Sequence, residues 1–346
     1  MDLIFYDKKV KSDSPVHRRY IHLSFNLSSS AFSIQFLAQM ILVVIFALLF
    51  LSTIFFSGYS TQKFFEGADL TQGHLVEHHR HQKRVLHEFL KSGRCHHLYV
   101  DMGTNVGVQI RKLYEPMHYP GAKILPVFED YFGNNTRKSV CAIGFEANDV
   151  HNSRLIELQT SYQNAGYPCV IFTETAVSVR HGNLTFFHDN GATPAQHEWG
   201  ASALAWHPNH PMNQTVLGID IDAFFHEVHH AWSHSTSYSS EHSRVVAKLD
   251  IEGSEYEVVP HMLSHGSLCF IDAITIEWHD HMWPASFEYR KPQDLIAMLK
   301  WATGTSKTCK FTPLNMDDET YGTGSDEVPL PSQQTNSTTL VRKRSM

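Results

Sequence analysis

The chain has little charge, and its basic residues are not in excess. Charged residues form 18% of its 346 residues, with 28 Lys and Arg against 35 Asp and Glu, for a formal net charge of −7. Hydrophobic residues form 42% of the chain, which excludes a wholly disordered polyelectrolyte. The lack of a basic excess argues against nucleic acid as a partner. We therefore expect a protein with a packed core.

Cysteine is scarce as well. The five cysteines show no zinc-ligand spacing, and an odd number leaves at least one thiol free or paired between chains. Cys141, Cys169 and Cys269 lie in apolar, strand-like runs. This setting predicts buried, inert thiols at these three positions.

No Asp, Glu, Lys or Arg occurs between Arg19 and Lys63. Within this gap, residues 36–56 form an apolar run in which 15 of 21 residues are Leu, Ile, Val or Phe. As a helix, the run would rise about 31 Å, which matches a hydrocarbon core of about 30 Å. A buried core helix and a cleavable signal peptide are the alternatives, but the run is longer than the roughly 7–15 residues of a signal-peptide core. We predict a single membrane-spanning helix at 36–56.

Basic residues in front of this span set its predicted orientation. By the positive-inside rule, residues 1–35 form a cytosolic tail, and the rest of the chain lies in the secretory lumen (Golgi or endoplasmic reticulum) or outside the cell. All five cysteines then face an oxidising compartment that permits disulfides. Four N-glycosylation sequons share that side and give weak support, at Asn134, Asn183, Asn213 and Asn336.

Composition divides the part beyond the span into three. Residues 57–94 form a predicted stem, whose later part has the apolar spacing of a short amphipathic helix. Residues 95–312 are the length of one globular domain. Residues 313–346 are rich in Ser, Thr, Gln, Asp and Pro, which predicts a disordered tail.

The globular domain opens with an apolar strand at 98–102 and a loop of pattern D-x-G-x-N-x-G. Glycine in such a loop permits a tight turn and lets a ligand approach the backbone. A dinucleotide-binding loop would carry G-x-G-x-x-G. The acidic residue before the glycines instead suits a ligand with a cationic or hydroxyl-bearing end. The residues of this pattern are Asp101, Gly103, Asn105 and Gly107.

Two further strands end in polar residues. The strand at 140–145 is followed by Glu146, which is placed to accept hydrogen bonds from ribose hydroxyls or to cap a helix. The strand at 170–173 leads into Glu174 and Thr175. Strands alternate with helices, which predicts a mostly parallel sheet with its ligand at the carboxyl ends of the strands.

The most informative segment follows an apolar strand at 245–249 and carries Asp250 and Glu252. Two carboxylates at one strand end repel each other, so they indicate a cation, a metal ion or a proton-transfer role. The next strand, at 270–276, leads into Glu277 and His279. All of these groups are expected at one sheet edge.

Two helix starts are also predicted in this half of the chain. Ser254 and Glu257 have capping-box spacing, and Asp222 stands where a helix N-cap is expected.

The segments VDMGTNVG, GFEAN, TETAVS, KLDIEGSEYEVV and ITIEWH, in this order, resemble the FkbM-type branch of the S-adenosylmethionine-dependent methyltransferases. The similarity covers roughly residues 98–299, and KLDIEGSE is its most diagnostic piece. It implies an α/β class I methyltransferase (Rossmann-like) fold with a mostly parallel seven-stranded sheet and helices on both faces. It also implies methyl transfer to an oxygen of a sugar or glycan-like acceptor.

The resemblance assigns roles to the residues described above. The pattern residues Asp101, Gly103, Asn105 and Gly107 would line the methionine end of S-adenosylmethionine, Glu146 would hold the ribose, and Glu174 or Thr175 would lie near the adenine. Asp250 and Glu252 would face the transferred methyl group and the acceptor hydroxyl. Asp250 is the first choice of general base, with Glu277 and His279 as alternative bases or as metal ligands together with Asp250. A divalent metal is not favoured by the sequence.

Two other function classes remain open. Asp220 and Asp222 form a D-x-D triplet that could hold Mn²⁺ and a nucleotide sugar, as in a Golgi glycosyltransferase. The fold could also serve as a catalytically silent binding protein. Four histidines fall on one side of a predicted helix, where an exposed titrating face is the preferred interpretation over a metal site: His226, His229, His230 and His234.

Overall fold

The computed structural model describes residues 70–133, 137–188, 201–204, 212–279, 292–306 and 308–318, together with Thr320 and Leu330. The predicted cytosolic tail at 1–35 and the predicted membrane span at 36–56 lie outside these ranges. Within them, no helix is both long and apolar enough to cross a membrane.

These residues form an α/β fold. The strands are β1 (His97–Met102), β2 (Val140–Phe145), β3 (Cys169–Phe172), β4 (Thr175–Ser178), β5 (Gly182–His188), β6 (Met212–Asp220), β7 (Val245–Leu249), β8 (Ala273–Ile276) and β9 (Thr312–Asn315). The helices are α1 (Leu70–Lys91), α2 (Val108–Tyr114), α3 (Leu125–Phe132), α4 (Asn152–Asn164), α5 (Ile221–Ser233), α6 (Glu255–His265) and α7 (Pro292–Thr305).

The main sheet has six strands in the order β3-β2-β1-β7-β8-β9, and all its pairs are parallel. Every residue of β2, β3, β7 and β8 is buried, because helices cover both faces of such a sheet. From β1 the chain builds outward to β3, then returns to β7 and builds to β9. The strand order therefore reverses between β1 and β7, where open parallel sheets form a crevice at their carboxyl ends.

A smaller sheet lies beside this crevice. It has the order β4-β6-β5, with β4 parallel and β5 antiparallel to β6. Three of its side chains, Ala176, Phe186 and Val216, form a small apolar cluster with Ala147, which follows β2. The parallel main sheet confirms the predicted α/β class, but it holds six strands within the described ranges, not the seven expected.

The predicted domain boundaries need two corrections. Helix α1 lies within the predicted stem at 57–94, yet Leu86 and Leu90 are buried in the main core and Lys83 pairs with Glu227 of α5 at 2.7 Å. The predicted tail at 313–346 begins inside β9, which pairs with β8 along its length. Both segments carry apolar side chains that the sheet covers, so the compact unit extends beyond 95–312 at each end.

One predicted helix cap is displaced by two residues, and the other makes no side-chain bond. Asp220, not Asp222, caps α5, since its carboxylate accepts hydrogen bonds from the backbone N–H groups of Asp222 and Ala223. At α6, Ser254 makes no side-chain cap bond. Glu255 instead accepts from the backbone of the preceding turn, so the predicted capping box with Glu257 is wrong.

Two disulfides join distant parts of the chain. Cys95 pairs with Cys141, and Cys269 pairs with Cys309, with sequence separations of 46 and 40 residues. The prediction of inert thiols at Cys141 and Cys269 is therefore wrong. It is confirmed for Cys169, whose thiol is free and fully buried, and burial raises its pKa.

Removing either cross-link should destabilise the fold. We expect the double variants Cys95→Ala/Cys141→Ala and Cys269→Ala/Cys309→Ala each to lose about 2–4 kcal/mol of unfolding free energy in urea titrations. Without the cross-link, the unfolded chain gains conformational entropy, because a loop of this length is no longer closed. Cys169→Ala keeps both bridges and serves as control. Thiol titration of the unfolded, unreduced wild type should give one thiol per chain; three or more would contradict the pairing.

Candidate functional site

The crevice holds an open cavity, with about 950 Å³ of space when its solvent-filled mouth is included. Its wall comes from the carboxyl ends of the central strands of the main sheet and from the small sheet. Most of its charged side chains are acidic. Among the described residues, the wall carries five carboxylates and one ammonium group, from Glu146, Asp250, Glu252, Glu277, Asp318 and Lys248.

The glycine loop brings β1 against β7. Gly103 has φ +87°, and a Cβ atom there would lie 1.8 Å from the backbone oxygen of Asp250. Only glycine permits this contact. Gly103 and Asn105 lie on the cavity wall, as predicted.

Gly107 has a different role from the predicted one. Its φ is +89°, and a Cβ atom would lie 2.2 Å from Cδ2 of Leu158 on α4. The residue is not part of the cavity wall. Packing against α4 therefore requires glycine at this position.

Asp101 lies behind the wall, not on it. Its side chain is fully buried, and neither carboxylate oxygen has a hydrogen-bond partner among the described residues. The closest cation is Lys248, whose Nζ is 3.9 Å from Oδ1. Burial raises the pKa of Asp101 to about 7, and the charge of Lys248 opposes that rise. Asp101 therefore lies beneath the site, where its charge acts on Lys248.

Lys248 connects Asp101, behind the cavity wall, to Asp250 on the wall. Sequence reasoning missed this residue. Its ammonium donates hydrogen bonds to Oδ2 of Asp250 at 2.7 Å and to the backbone oxygen of Gly103 at 3.1 Å. Burial lowers the pKa of Lys248, but the carboxylates of Asp250 and Asp101 outweigh it and raise the pKa overall. The sequence did contain a signal for this pair, because Lys248 and Asp250 are two positions apart and such residues on a strand point to the same face.

Glu146 lies on the wall at the end of β2, as predicted. Its two carboxylate oxygens accept hydrogen bonds from the backbone N–H groups of Asn105 at 2.6 Å and Asn148 at 2.8 Å. Burial raises the pKa of Glu146 to about 7, against the effect of these donors. Each oxygen keeps a further lone pair that can accept from a ligand hydroxyl.

Of the two residues predicted near an adenine, only Thr175 lines the cavity. The side chain of Glu174 accepts a hydrogen bond from Nδ2 of Asn152 at 2.7 Å, outside the wall. Thr175 receives a hydrogen bond from Gln82 of α1 at 2.7 Å. The helix of the predicted stem thus contacts the site.

His279 is surrounded by carboxylates. Its Nε2 lies 3.4 Å from Oε2 of Glu252, 3.7 Å from Oδ1 of Asp250 and 3.7 Å from Oε1 of Glu277. We call these four residues the His279 cluster. The side chain of His279 is 8% exposed, and Asp250, Glu252 and Glu277 line the cavity directly in front of it. The structure thus brings together all four predicted catalytic residues.

The charges of the cluster depend on one another. Burial lowers the pKa of His279, but a hydrogen bond to Glu255 and the charges of Glu255, Glu252 and Asp250 outweigh it and raise the pKa to about 10. Burial raises the pKa of Glu252 to about 8, with the charge of His279 acting against it.

Glu255 and Asp318 complete the site, and sequence reasoning missed both. Glu255 is fully buried; it accepts hydrogen bonds from the backbone N–H groups of Ile251 and Gly253 and lies 3.2 Å from Nδ1 of His279. Asp318 comes from the predicted tail and pairs with the buried Lys112 at 3.2 Å. No local pattern marks Asp318, because its partner is about two hundred residues away in the chain.

In the part of the chain that the structure describes, three non-glycine residues have left-handed backbone conformations. They are Asn105, Glu174 and Glu252, with φ of 49°, 52° and 53°. Each follows the carboxyl end of a main-sheet strand. Such strain persists where surrounding structure enforces it and is concentrated at functional sites.

The carboxylates of the D-x-D triplet lie elsewhere. Asp220 is occupied by the cap of α5 and by His261 at 2.9 Å, and Asp222 accepts from the backbone of Ser267. Neither is part of the cavity wall. Of the histidines on this helix, His229 stacks on Phe270. Among the described residues, the single group with the geometry of a metal site is Asp250, Glu252 and His279.

Comparisons with known proteins leave the family undetermined. No protein-family model, no curated protein and no solved structure matches this chain.

Proposed function

We propose that this chain is an S-adenosylmethionine-dependent methyltransferase with a class I fold, acting on an oxygen of a sugar or glycan-like acceptor. One observation carries the proposal: the cavity at the point of strand reversal has an acidic wall, and the ammonium of its one lysine is already paired with Asp250. Such a wall favours a cationic ligand and repels a pyrophosphate. S-adenosylmethionine carries both a sulfonium and an ammonium group.

The arrangement of the wall agrees with this ligand. Glu146 stands at the end of the second strand, where an acidic residue accepts hydrogen bonds from ribose hydroxyls. Thr175 and Ala176 form the next part of the wall, beside the ribose position. Asp250 and Glu252 lie at the opposite end, where the methyl group and the acceptor would meet.

The chemistry requires little beyond alignment and a proton acceptor. The acceptor oxygen forms a bond to the methyl carbon while the carbon–sulfur bond breaks, and S-adenosylhomocysteine leaves with the bonding electrons. The hydroxyl proton passes to a carboxylate, for which Asp250 is the first choice. Glu252 and Glu277 are the nearest alternatives.

Cellular location is part of the proposal. The predicted anchor places the domain in the secretory lumen or outside the cell. Two disulfides support an oxidising compartment, and the sequon residues Asn183 and Asn213 are exposed on the small sheet.

Thermal denaturation of the full chain in detergent tests the proposal against the glycosyltransferase. We expect S-adenosylmethionine and S-adenosylhomocysteine to raise the melting temperature, since a ligand at about 100 times its Kd adds about 2.7 kcal/mol to the native state. The other arms are Mn²⁺ alone and a nucleotide sugar with Mn²⁺. A shift with the nucleotide sugar beyond that of Mn²⁺ alone, together with no shift for either methionine compound, would establish the rival.

A further inference from the structure

We propose that Asp250, Glu252 and His279 bind a divalent cation of the Mn²⁺ or Mg²⁺ type, with Glu277 beside it as a fourth side-chain ligand. The ligand atoms of the first three residues all lie within 4.8 Å of one another. The site opens on the cavity, so the ion would be reachable from solvent.

The spacing of the atoms fits one shared ion. Nε2 of His279 lies 3.4–3.7 Å from one oxygen of each of the three carboxylates. These distances exceed those of ordinary hydrogen bonds, about 2.7–3.2 Å. They match the separations of about 3–4 Å between neighbouring ligands at about 2.0–2.2 Å from one metal ion.

The imidazole is held in the orientation that a ligand needs. His279 is more than nine-tenths buried, and its Nδ1 lies 3.2 Å from the fully buried Glu255. With Nδ1–H donating to Glu255, Nε2 faces the carboxylates, and a bound ion would displace the proton from Nε2 and take its lone pair. A carboxylate that orients a metal-binding histidine in this way is a regular feature of metal sites. Glu255 is thus a positioning residue, itself fixed by two backbone N–H groups.

The charge of the region calls for a cation. Four carboxyl groups surround His279, from Asp250, Glu252, Glu255 and Glu277, and they outnumber the two cationic groups present, which are His279 itself and the ammonium of Lys248 that pairs with Asp250. Like charges this close are costly in a half-buried pocket. A divalent ion would offset the excess. The carboxylate oxygens suit Mn²⁺ and Mg²⁺, and the single imidazole favours Mn²⁺ of the two.

Mn²⁺ binding to the full chain in detergent, followed by electron paramagnetic resonance without any other ligand, tests the site. Mn²⁺ is the right probe because surface histidines bind it more weakly than they bind Zn²⁺ or Ni²⁺. We expect one saturable ion per chain. His279→Gln and Glu252→Gln should each weaken its binding at least tenfold, and Glu255→Gln should weaken it about 10- to 100-fold, as expected for an orienting residue.

The control is His261→Gln, which removes another histidine–carboxylate pair, with Asp220, outside the cavity. It should leave Mn²⁺ binding unchanged. Circular dichroism and melting curves identify any variant that fails to fold. If His279→Gln fails to fold, the conservative change Glu252→Gln, at a side chain that is 22% exposed, decides the question. Two results would overturn the proposal. In the first, the wild type binds no saturable ion; in the second, it binds one, but His279→Gln and Glu252→Gln fold and still bind it as tightly. Because no methionine compound is present, this result is independent of the methyltransferase test.

Discussion

Gly103→Ala should abolish the site and destabilise the whole fold. The added Cβ would lie 1.8 Å from the backbone oxygen of Asp250, in a backbone conformation with φ +87° that alanine rarely adopts. The loops after β1 and β7 would have to separate, and both loops line the cavity. We expect a loss of about 4 kcal/mol or more in urea unfolding, the range reserved for severe core defects.

Gly121→Ala is the matched control for this change. Gly121 has the same φ of +87°, but a Cβ atom there would meet nothing within 4 Å. Its cost should therefore be that of the left-handed conformation alone, about 1–2 kcal/mol. Equal losses in the two variants would show that the contact with Asp250 can relax, and that the close approach of the two loops is not essential.

Asp250→Asn should leave a folded protein that binds S-adenosylmethionine but transfers methyl groups poorly. The amide keeps the shape of the carboxylate, and its oxygen can still accept a hydrogen bond from Lys248. It cannot take the acceptor proton. We expect kcat to fall by about 10²- to 10⁴-fold, the usual contribution of a general base, measured with a labelled methyl donor and a panel of glycans.

Glu241→Gln serves as control for the loss of one negative charge. Glu241 is 85% exposed in its side chain and pairs only loosely with His242 at 4.0 Å. Its kcat should equal that of wild type. Full turnover by Asp250→Asn would place the base at Glu252 or Glu277. Because Asp250 is also a proposed ion ligand, the assay is run with and without added Mn²⁺. If high Mn²⁺ restores the kcat of Asp250→Asn, the variant has lost affinity for the ion and not the general base.

The local sequence pattern was sufficient to predict the structure where a residue type has a single structural consequence. Mostly apolar runs such as 140–145 and 245–249 became buried strands, because a parallel sheet covered on both faces needs them. Glu146, Asp250 and Glu252 follow such strands. Parallel strands end at the same edge, so these acids had to meet there.

Local pattern was misleading where two neighbouring residues compete for one role. Asp220 caps α5 where Asp222 was predicted, and before α6 it is Glu255, not Glu257, that accepts hydrogen bonds from backbone N–H groups, those of Ile251 and Gly253. Gly107 resembles a ligand-binding glycine, yet the side chain it approaches is Leu158. Spacing rules cannot detect a shift of one or two residues in such a role. The shift nevertheless decides which side chain is buried in the core.

The sequence by itself determined the α/β class, the strand ends that carry the chemistry and the acidic character of the cavity. Tertiary structure decided the pairings: Cys95 with Cys141, Cys269 with Cys309, and Asp318 with Lys112. It also decided the orientation of His279, which Glu255 sets from a different element. The physical reason is that these contacts join residues far apart in the chain, and only the register and packing of the whole sheet bring them within reach.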